Sequence, residues 1–598
     1  MEDQQQDTLN TNHQQEEIKE KHDILLNTFL ISNKKFRVLL HHGSLVWEKE
    51  NSKNGKTTVP LIDILAVRLA SSSNRNKSNN ISSSRISINP SVSSLPTSAV
   101  PSTSSDTFDS SKNYLYIYYA KRDSNCQRDH NRWRKHTLKL YNTDYRIIQT
   151  WHNTLADWLD QQKRPKNILM FVNPYGGKRQ ALKIFEKYSK PLFQLAGVEI
   201  SCLISQRGNQ IHDILQNNPA LYQYDAICCV GGDGTFAEVF NGLMQRTLRD
   251  LSLDPQRPTY LPKLRIPIGV IPAGSTDTVA YCLHGTTDVK TAVIHIILGQ
   301  KRGLDLSSVC NHIGLIRLYA SLICYGYLGD IALDSEQYRW MGPHRYDYSG
   351  FKKFIANRGY EIELAFPESE STKTQVDNLK TNSTCNIGCD RCLNQSEPDK
   401  CEQSHIIDYS ILSSNLSSAV TPGTLESGTK DHQNWKTVRG KYFMVAGANI
   451  SCASSRSPNG LAPFCHLGDG HIEIIVIRHT SMFNLLRLLI RLNRENPQLD
   501  MLPFVEIYRA KKFLVRSNKT ANNSASSSDL TMGGSRQPIS SSLSKGAERT
   551  SQWNCDGELV FDTDVLISSH RQLVDVFMRG SYPPSEEKKS SCCGLCGV

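Results

Sequence analysis

The chain has 598 residues, 38% of them hydrophobic, with 69 basic against 58 acidic side chains and a formal charge of +11. That length asks for two or three domains, and the low apolar fraction puts part of the chain outside any packed core. No run reaches the roughly 18 apolar residues of a membrane span, and the polar, acidic start MEDQQQDTLNTNHQQEEIKEKHD is not expected to act as a signal peptide. A mild basic excess suits nucleic acid, an anionic membrane or phosphorylated substrates, and does not choose among them. The 17 cysteines, some inside apolar runs such as Cys228 and Cys229, read as reduced thiols of a cytosolic protein.

Residues 1–23 are expected to be disordered, and 24–160 to form a first unit. Phe29–Ile31, Phe36–Leu40 and Leu45–Trp47 are short strand-like pieces. Leu61–Leu69, Tyr114–Tyr119 and His136–Tyr141 add three more. Asp144–Leu159 reads as an amphipathic helix carrying Ile147, Trp151, Leu155 and Trp158. Short strands closed by one Trp-bearing helix resemble a pleckstrin-homology (PH) domain, a small β-barrel. On that resemblance Arg37, Lys49, Lys56, Arg68 and Arg134 are candidates for binding anionic phosphoinositide head groups; the alternative is a solvated basic surface. Residues 71–111, rich in Ser, Asn and Pro, are expected to be a disordered insertion.

From Lys166 a strand–turn–helix pattern repeats. Strand Asn167–Val172 leads through the turn Asn173-Pro174-Tyr175-Gly176-Gly177-Lys178 into a helix holding Ala181, Leu182, Ile184, Phe185 and Tyr188. Strand Glu199–Ile204, turn Ser205–Asn209 and helix Gln210–Leu215 follow. Ala226–Val230 then breaks at Gly231-Gly232-Asp233-Gly234-Thr235 before a helix with Phe236, Val239, Phe240 and Leu243. Ile266–Ile271, the turn Pro272–Asp277 and a helix to Leu283 complete the series. Such repeats imply parallel βαβ units, here a Rossmann-like α/β nucleotide lobe over 165–310. Ligands of such sheets bind outside the carboxyl ends of the strands, where all these turns lie. Glycines and a helix start suit a phosphate. Asp233 beside a phosphate is costly unless it holds a metal or takes a proton, which marks this turn as the reaction centre.

Residues 311–580 read as a β-rich lobe. Its strands are Ile316–Tyr325, Tyr360–Ala365, Lys441–Ala446, Ile472–Ile477, Phe504–Val515 and a late Glu558–Phe561, with Asp305–Val309 leading in. Two polar insertions, 367–435 and 518–550, interrupt it, and a Cys-containing tail, 581–598, follows.

Asn173-Pro174-x-Gly176-Gly177, Gly231–Thr235 with Glu238 and Asn241-Gly242, and Ile271–Asp277 together resemble the diacylglycerol-kinase catalytic domain, a superfamily that phosphorylates lipid hydroxyls. Three further stretches resemble the ceramide kinase family within it: Asp334-Ser335-Glu336-x-Tyr338-Arg339-Trp340-x-Gly342-x-x-Arg345-Tyr346-Asp347, Cys385-x-x-x-Cys389-x-x-Cys392, and Trp553-Asn554-Cys555-Asp556-Gly557-Glu558. The resemblance spans 24–159 and 165–580 outside the low-complexity insertions. It implies a two-lobed α/β lipid kinase behind a PH-like domain, transferring the γ-phosphate of ATP, with Mg2+, to the primary hydroxyl of ceramide. It also implies a cytoplasmic protein, peripheral on Golgi or plasma membranes, with no nucleic-acid partner. The alternatives are a sphingosine or diacylglycerol kinase, a NAD kinase sharing the GGDGT turn, and a non-catalytic lipid-binding adaptor.

No GxxxxGK[ST] loop is present, so the ATP phosphates are expected on the turn Asn173, Pro174, Tyr175, Gly176, Gly177 and the neighbouring glycine turns. Asp233 is the expected base, with magnesium ligation or turn stabilisation as its alternatives. Gly231, Gly232 and Gly234 beside it are assigned to the lipid substrate. Ser205 and Asn209 either bind the nucleotide or cap a helix, and Glu238 either contacts nucleotide or matches a helix dipole. Gly274, Ser275 and Thr276 are assigned to ATP, as are Asp556, Gly557 and Glu558, the last with magnesium contact as a further role. Arg339 and Arg345, on a segment read as irregular, suit phosphate oxygens. Asp330 and Asp334 are head-group candidates, although Ala332 stands where sphingosine kinases carry an aspartate.

Cys385, Cys389 and Cys392 have a spacing that suits structural Zn2+, with Cys401 or His405 as a fourth ligand; local thiol packing or redox sensitivity is the alternative. Phe483–Leu492, apolar with Arg487 and Arg491, is either a buried helix with a basic edge or a segment for calmodulin, with Ca2+ regulation, or for membrane. Cys596 is third from the end, so there is no prenylation box; Cys592 and Cys593 are candidates for palmitoylation, against a free tail.

Overall fold

The computed structural model describes residues 24–50, 55–70, 113–123, 129, 131–177, 179–342, 344–367, 385, 389, 392, 405–413, 435–455, 457–462, 464–492, 499–517 and 550–581. Residues 1–23, the insertion 71–111, Cys401 and the tail cysteines Cys592, Cys593 and Cys596 lie outside them, as does most of 367–435 and 518–550. Two units are distinguished: Met1–Lys121 with Arg134–Lys163, and Arg122–Trp133 with Arg164–Val598.

In the first unit, β1 (Leu25–Ile31), β2 (Lys34–His41), β3 (Ser44–Lys49), β4 (Thr57–Pro60), β5 (Ile64–Leu69), β6 (Tyr114–Arg122) and β7 (Trp133–Tyr141) form one sheet in the order β4-β3-β2-β1-β7-β6-β5. Among the described residues its hydrogen-bonded ladder runs from β4 to β5, an antiparallel sheet that agrees with the PH-like expectation. Leu61–Asp63 is a 3-10 turn, so the expected strand there begins at Ile64. Helix α1 (Tyr145–Gln161) starts at Asp144, whose carboxylate accepts from the Arg146 N–H, and covers the buried face of the sheet. Ile148, rather than Ile147, joins Trp151 and Leu155 in the core. Trp151 meets Phe29 edge-on with centroids 5.3 Å apart, and its Nε1 donates to Asn27 Oδ1 at 2.8 Å. Arg37, Lys49 and Lys56 lie on or beside the adjacent strands β2–β4, Arg68 and Arg134 on β5 and β7, and Arg37 already faces Glu48 at 3.9 Å.

The second unit is built on β8 (Asn167–Val172), β9 (Glu199–Ile204), β10 (Ala226–Gly231) and β11 (Ile268–Pro272), parallel in the order β9-β8-β10-β11. The helices are α2 (Ala181–Ile184) and α3 (Lys190–Leu195), joined by a π-helical turn, then α4 (Gln210–Asn217), α5 (Asp233–Asp250), α6 (Thr278–His284) and α7 (Val289–Leu298). These are the expected repeats, with α7 added. The β10 residues are fully enclosed, which is why Cys228 and Cys229 sit among Val and Ile.

The remainder contains β12 (Lys301–Cys310), β13 (Leu315–Tyr319), β14 (Leu322–Gly326), α8 (Tyr327–Ser335), α9 (His344–Ala356), β15 (Tyr360–Pro367), α10 (Ser410–Ser413), β16 (Trp435–Ala448), β17 (Ile472–Arg478), α11 (Met482–Leu492), β18 (Val505–Ala510), β19 (Lys512–Ser517), β20 (Trp553–Cys555), β21 (Glu558–Val560) and β22 (Val565–Phe577). Several expectations are corrected. The segment around Arg339 and Arg345 is helical, not irregular: α8, a 3-10 turn over Glu336–Met341, and α9. The single strands expected over Ile316–Tyr325 and Phe504–Val515 are each two. The long strand β22 was hidden by its polar centre, Ser568-Ser569-His570-Arg571-Gln572. It pairs antiparallel with β12 and β19 and parallel with β11, so both lobes share one sheet.

Trp151→Ala is expected to destabilise the first unit by roughly 3–5 kcal/mol. Calorimetry resolving the two units should show the second unit's transition unmoved.

Candidate active site

A cleft of about 840 Å³ opens at the carboxyl ends of β8, β10 and β11. It is lined by the turns after those strands and by the apolar side chains of Ile316, Leu322, Leu328, Leu559 and Val560. The turns touch backbone to backbone. A Cβ on Gly274 would lie 2.6 Å from the Gly232 Cα and 2.7 Å from Asp277 Oδ1, and one on Gly177, at φ +54°, would lie 2.5 Å from the Gly274 carbonyl carbon. These glycines serve the mutual approach of the turns before they serve any ligand. Gly234 differs: its nearest neighbour would be Asp556 O at 4.0 Å, so the first turn of α5 stays open to the cleft.

Asp233 is the first residue of α5, not part of a free turn. Its Oδ2 accepts from the Thr278 N–H at 3.1 Å and its Oδ1 from the Val279 N–H at 2.9 Å. The carboxylate therefore caps α6, whose own N-cap Asp277 sits in the left-handed region and instead accepts from the Gly274 N–H at 2.7 Å. Burial raises the Asp233 carboxyl to about 6; the Val279 and Thr278 N–H groups oppose the rise, and Asp277 and Asp556 add to it. Each oxygen keeps a lone pair, so the group can accept a proton while held in place.

Many of the residues expected at the site line the cleft: Asn173, Gly176, Gly177, Asn209, Gly232, Asp233, Gly234, Glu238, Gly274, Ser275, Thr276, Arg345, Asp556, Gly557 and Glu558. Several already have work in the fold. Asn173 Nδ2 donates to Thr235 Oγ1 at 3.0 Å while its Oδ1 accepts from the Tyr175 N–H. Glu238 accepts from the Ile211 N–H at 3.0 Å and so caps α4, and burial raises its carboxyl. Asp556 is a clamp: it accepts from the N–H groups of Ala320, Ser321 and Leu322 and from the Ser321 hydroxyl, which makes the break between β13 and β14. Glu558 is exposed and faces the guanidinium of Arg317, at 3.6 Å, as an ion pair.

Other expected residues lie elsewhere. Pro174, Tyr175, Ser205 and Gly231 sit beside the turns without lining the cleft, and Ser205 donates to the Arg207 carbonyl. Asp330 is buried, accepting from Tyr360 and Ser551. Asp334 is buried against α9, accepting from Ser349 at 3.0 Å and from Lys352 at 2.9 Å. Arg339 points to solvent and pairs with Glu336, which also receives Arg345 at 3.3 Å. Sequence reading missed Arg317 and Asn241 as cleft residues. Asn241 exchanges hydrogen bonds with the Leu318 backbone, tying α5 to β13; the Asn-Gly pair was a readable signal for it, whereas an isolated arginine in a strand gave none for Arg317. Cys385, Cys389 and Cys392 converge on His466 rather than His405, which is buried beside Tyr260 and His570.

Residues 167–309 match the family model of the diacylglycerol kinase catalytic domain, and residues 389–595 that of the ceramide kinase C-terminal domain. The chain is similar to a ceramide kinase of Mus musculus, 38% identical over 455 residues that span 75% of this chain and 82% of the mouse protein. It is 37% identical over 456 residues to a ceramide kinase of Homo sapiens, spanning 75% of this chain and 80% of the human protein. A solved structure of a putative diacylglycerol kinase from Bacillus anthracis str. Sterne superposes with a TM-score of 0.42 at 13% identity, over 70% of this chain and 98% of the bacterial one, a likeness too weak to carry weight.

The two carboxylates of the Asp556–Glu558 turn are expected to behave oppositely in chemical denaturation. Asp556→Ala leaves buried donors unpaired and should cost about 3 kcal/mol or more. Glu558→Ala should stay within about 0.5 kcal/mol of the parent.

Proposed function

The chain belongs to the ceramide kinase family, and on that premise we infer that it transfers the γ-phosphate of ATP to the primary hydroxyl of ceramide, giving ceramide 1-phosphate and ADP. The observation that carries the mechanism is the Asp233 carboxylate, pinned by two backbone N–H groups and raised to about 6, in a cleft lined by the glycine turns and by apolar side chains. The lipid hydroxyl lies against Asp233 with its chains toward Ile316, Leu322 and Leu328. Its oxygen attacks the γ-phosphorus, the bond to the ADP oxygen breaks, and the hydroxyl proton passes to Asp233. Gly176, Gly177, Gly274, Ser275 and Thr276 cradle the phosphates through their backbone, and Arg317 and Arg345 take up the charge that builds on the transferring group. Glu558, exposed at the cleft, is the oxygen donor that fits Mg2+, whose chemistry there is charge neutralisation.

Membrane docking follows from a second face. Leu485 and Leu488 anchor α11 in the core, while Phe483, Leu486 and Ile490 on the same helix are exposed beside Arg487 and Arg491. Asn357, just past α9, donates to the Thr480 carbonyl at 2.9 Å, and Phe354 of α9 packs with Leu485 and Leu488, so the end of α9 lies beside α11. Exposed apolar side chains with arginines fit an anionic bilayer surface. A partner that encircles the helix would have to strip Leu485 and Leu488 from the core, so membrane is favoured over calmodulin.

Purified protein with Mg-ATP should phosphorylate ceramide in preference to sphingosine and diacylglycerol; activity on diacylglycerol with none on ceramide overturns the reading. Since the base works deprotonated, kcat/KM should fall about tenfold per unit as pH drops below about 6. Asp233→Asn should lose about 10²–10⁴ of kcat and this acid limb together, with ATP binding kept; a purely structural role leaves the limb in place. Phe483→Glu with Leu486→Glu should cut sedimentation with phosphatidylserine vesicles about tenfold or more. Unchanged vesicle binding, or loss only of calcium–calmodulin binding, rejects the membrane assignment.

A further inference from the structure

Away from the cleft, the chain between β15 and β16 brings Cys385, Cys389 and Cys392 to His466, on the loop between β16 and β17. The four ligand atoms lie within 4.8 Å of one another. Cys385 Sγ is 3.6 Å from Cys392 Sγ, and His466 Nδ1 is 3.1 Å from Cys389 Sγ and 3.9 Å from Cys392 Sγ. A disulfide needs about 2.05 Å, so the sulfurs are not bonded. A tetrahedral zinc ion, with Zn–S of about 2.3 Å and Zn–N of about 2.0 Å, sets its ligand atoms roughly 3.5–3.8 Å apart. We propose that Cys385, Cys389, Cys392 and His466 Nδ1 bind one structural Zn2+ ion.

The surroundings agree. The Leu467 N–H points at Cys385 Sγ at 3.5 Å, a donor that suits a thiolate, and the Cys392 N–H closes a turn on the Cys389 carbonyl at 3.0 Å. Three thiolates around a divalent ion leave one negative charge in excess. Arg302 of β12 and Arg571 of β22 bring cations to it, donating to the carbonyls of Cys389 and Cys392 at 3.4 and 3.0 Å. Gln572 Nε2 also donates to the Cys392 carbonyl, at 3.0 Å. Four protein ligands leave no position for substrate, and none of them lines the cleft, so the ion is structural. It fastens Cys385, Cys389 and Cys392 beside Gln572, whose N–H, with that of Gly470, donates to Asp305 at 2.7 and 2.6 Å at the bulge of β12. The inference is independent of the kinase reading.

Elemental analysis of the full chain purified from zinc-replete cells should give about one zinc per chain. Metal-stripped protein given Co2+ should show thiolate-to-cobalt charge transfer and the strong visible bands of a tetrahedral site. His466→Ala and Cys389→Ser should weaken zinc binding about 100-fold or more, while His405→Asn leaves it unchanged. If either ligand variant fails to fold, the cobalt spectrum of the parent still decides. Parent protein that holds no zinc and gives no such bands overturns the proposal, as does undiminished zinc in a folded His466→Ala variant.

Discussion

The catalytic face depends on a contact with no side chain in it. Gly177, Gly232 and Gly274 bring three turns, from three parallel strands, closer than any Cβ permits. Once they meet, the start of α5 lies against the start of α6, and the Asp233 carboxylate finds the Thr278 and Val279 N–H groups waiting. The aspartate is thus both a capping group and the candidate base. The raised pKa comes from the burial that the turn contact enforces, moderated by the two N–H donors. Enzymes tune carboxylates toward neutrality by this route, because a base works best with an acidity near the working pH.

The same economy runs through the other acidic residues. Glu238 caps α4, Asp277 holds the Gly274 turn, and Asp556 fastens the break between β13 and β14. All of them line the cleft, yet each stabilises a neighbouring segment first. Their motif spacing reflects folding as much as chemistry. Glu558 differs in standing exposed, ion-paired with Arg317.

The parallel lobe was legible in the sequence because its repeats run strand, turn, helix, with the strands β8, β10 and β11 enclosed and apolar and only β9 exposed, and β10 and α5 follow that grammar residue by residue. The N-terminal sheet was legible for the same reason of alternation, apart from β4, where Val59 alone points inward. The helices around Arg339 were not, since α8 packs Asp330 and Asp334 inward against hydroxyls and lysine, reversing the usual pattern of polarity. That reversal puts both head-group candidates against protein partners, outside the lining of the cleft. Among the metal-type residues, cysteine spacing pointed to a cluster, but its fourth member, His466, arrives from a distant loop that only the sheet brings near. Arg317 carried no signal at all, because its importance lies in which strand ends beside the turns.

The route of β22 has a consequence for biosynthesis. Ile268 of β11 must wait for Val576, roughly 300 residues later, before that side of the parallel sheet is covered. A nascent chain that has finished the nucleotide lobe therefore still carries an open strand edge, a surface prone to pairing with other chains. The domain is closed in space by β22, the last strand among the described residues. Premature termination in the second half before β22 would leave a lobe with the glycine turns of its parallel strands present and an unpaired sheet edge beside them, so such translation errors should be read out as aggregation rather than as a weakened enzyme.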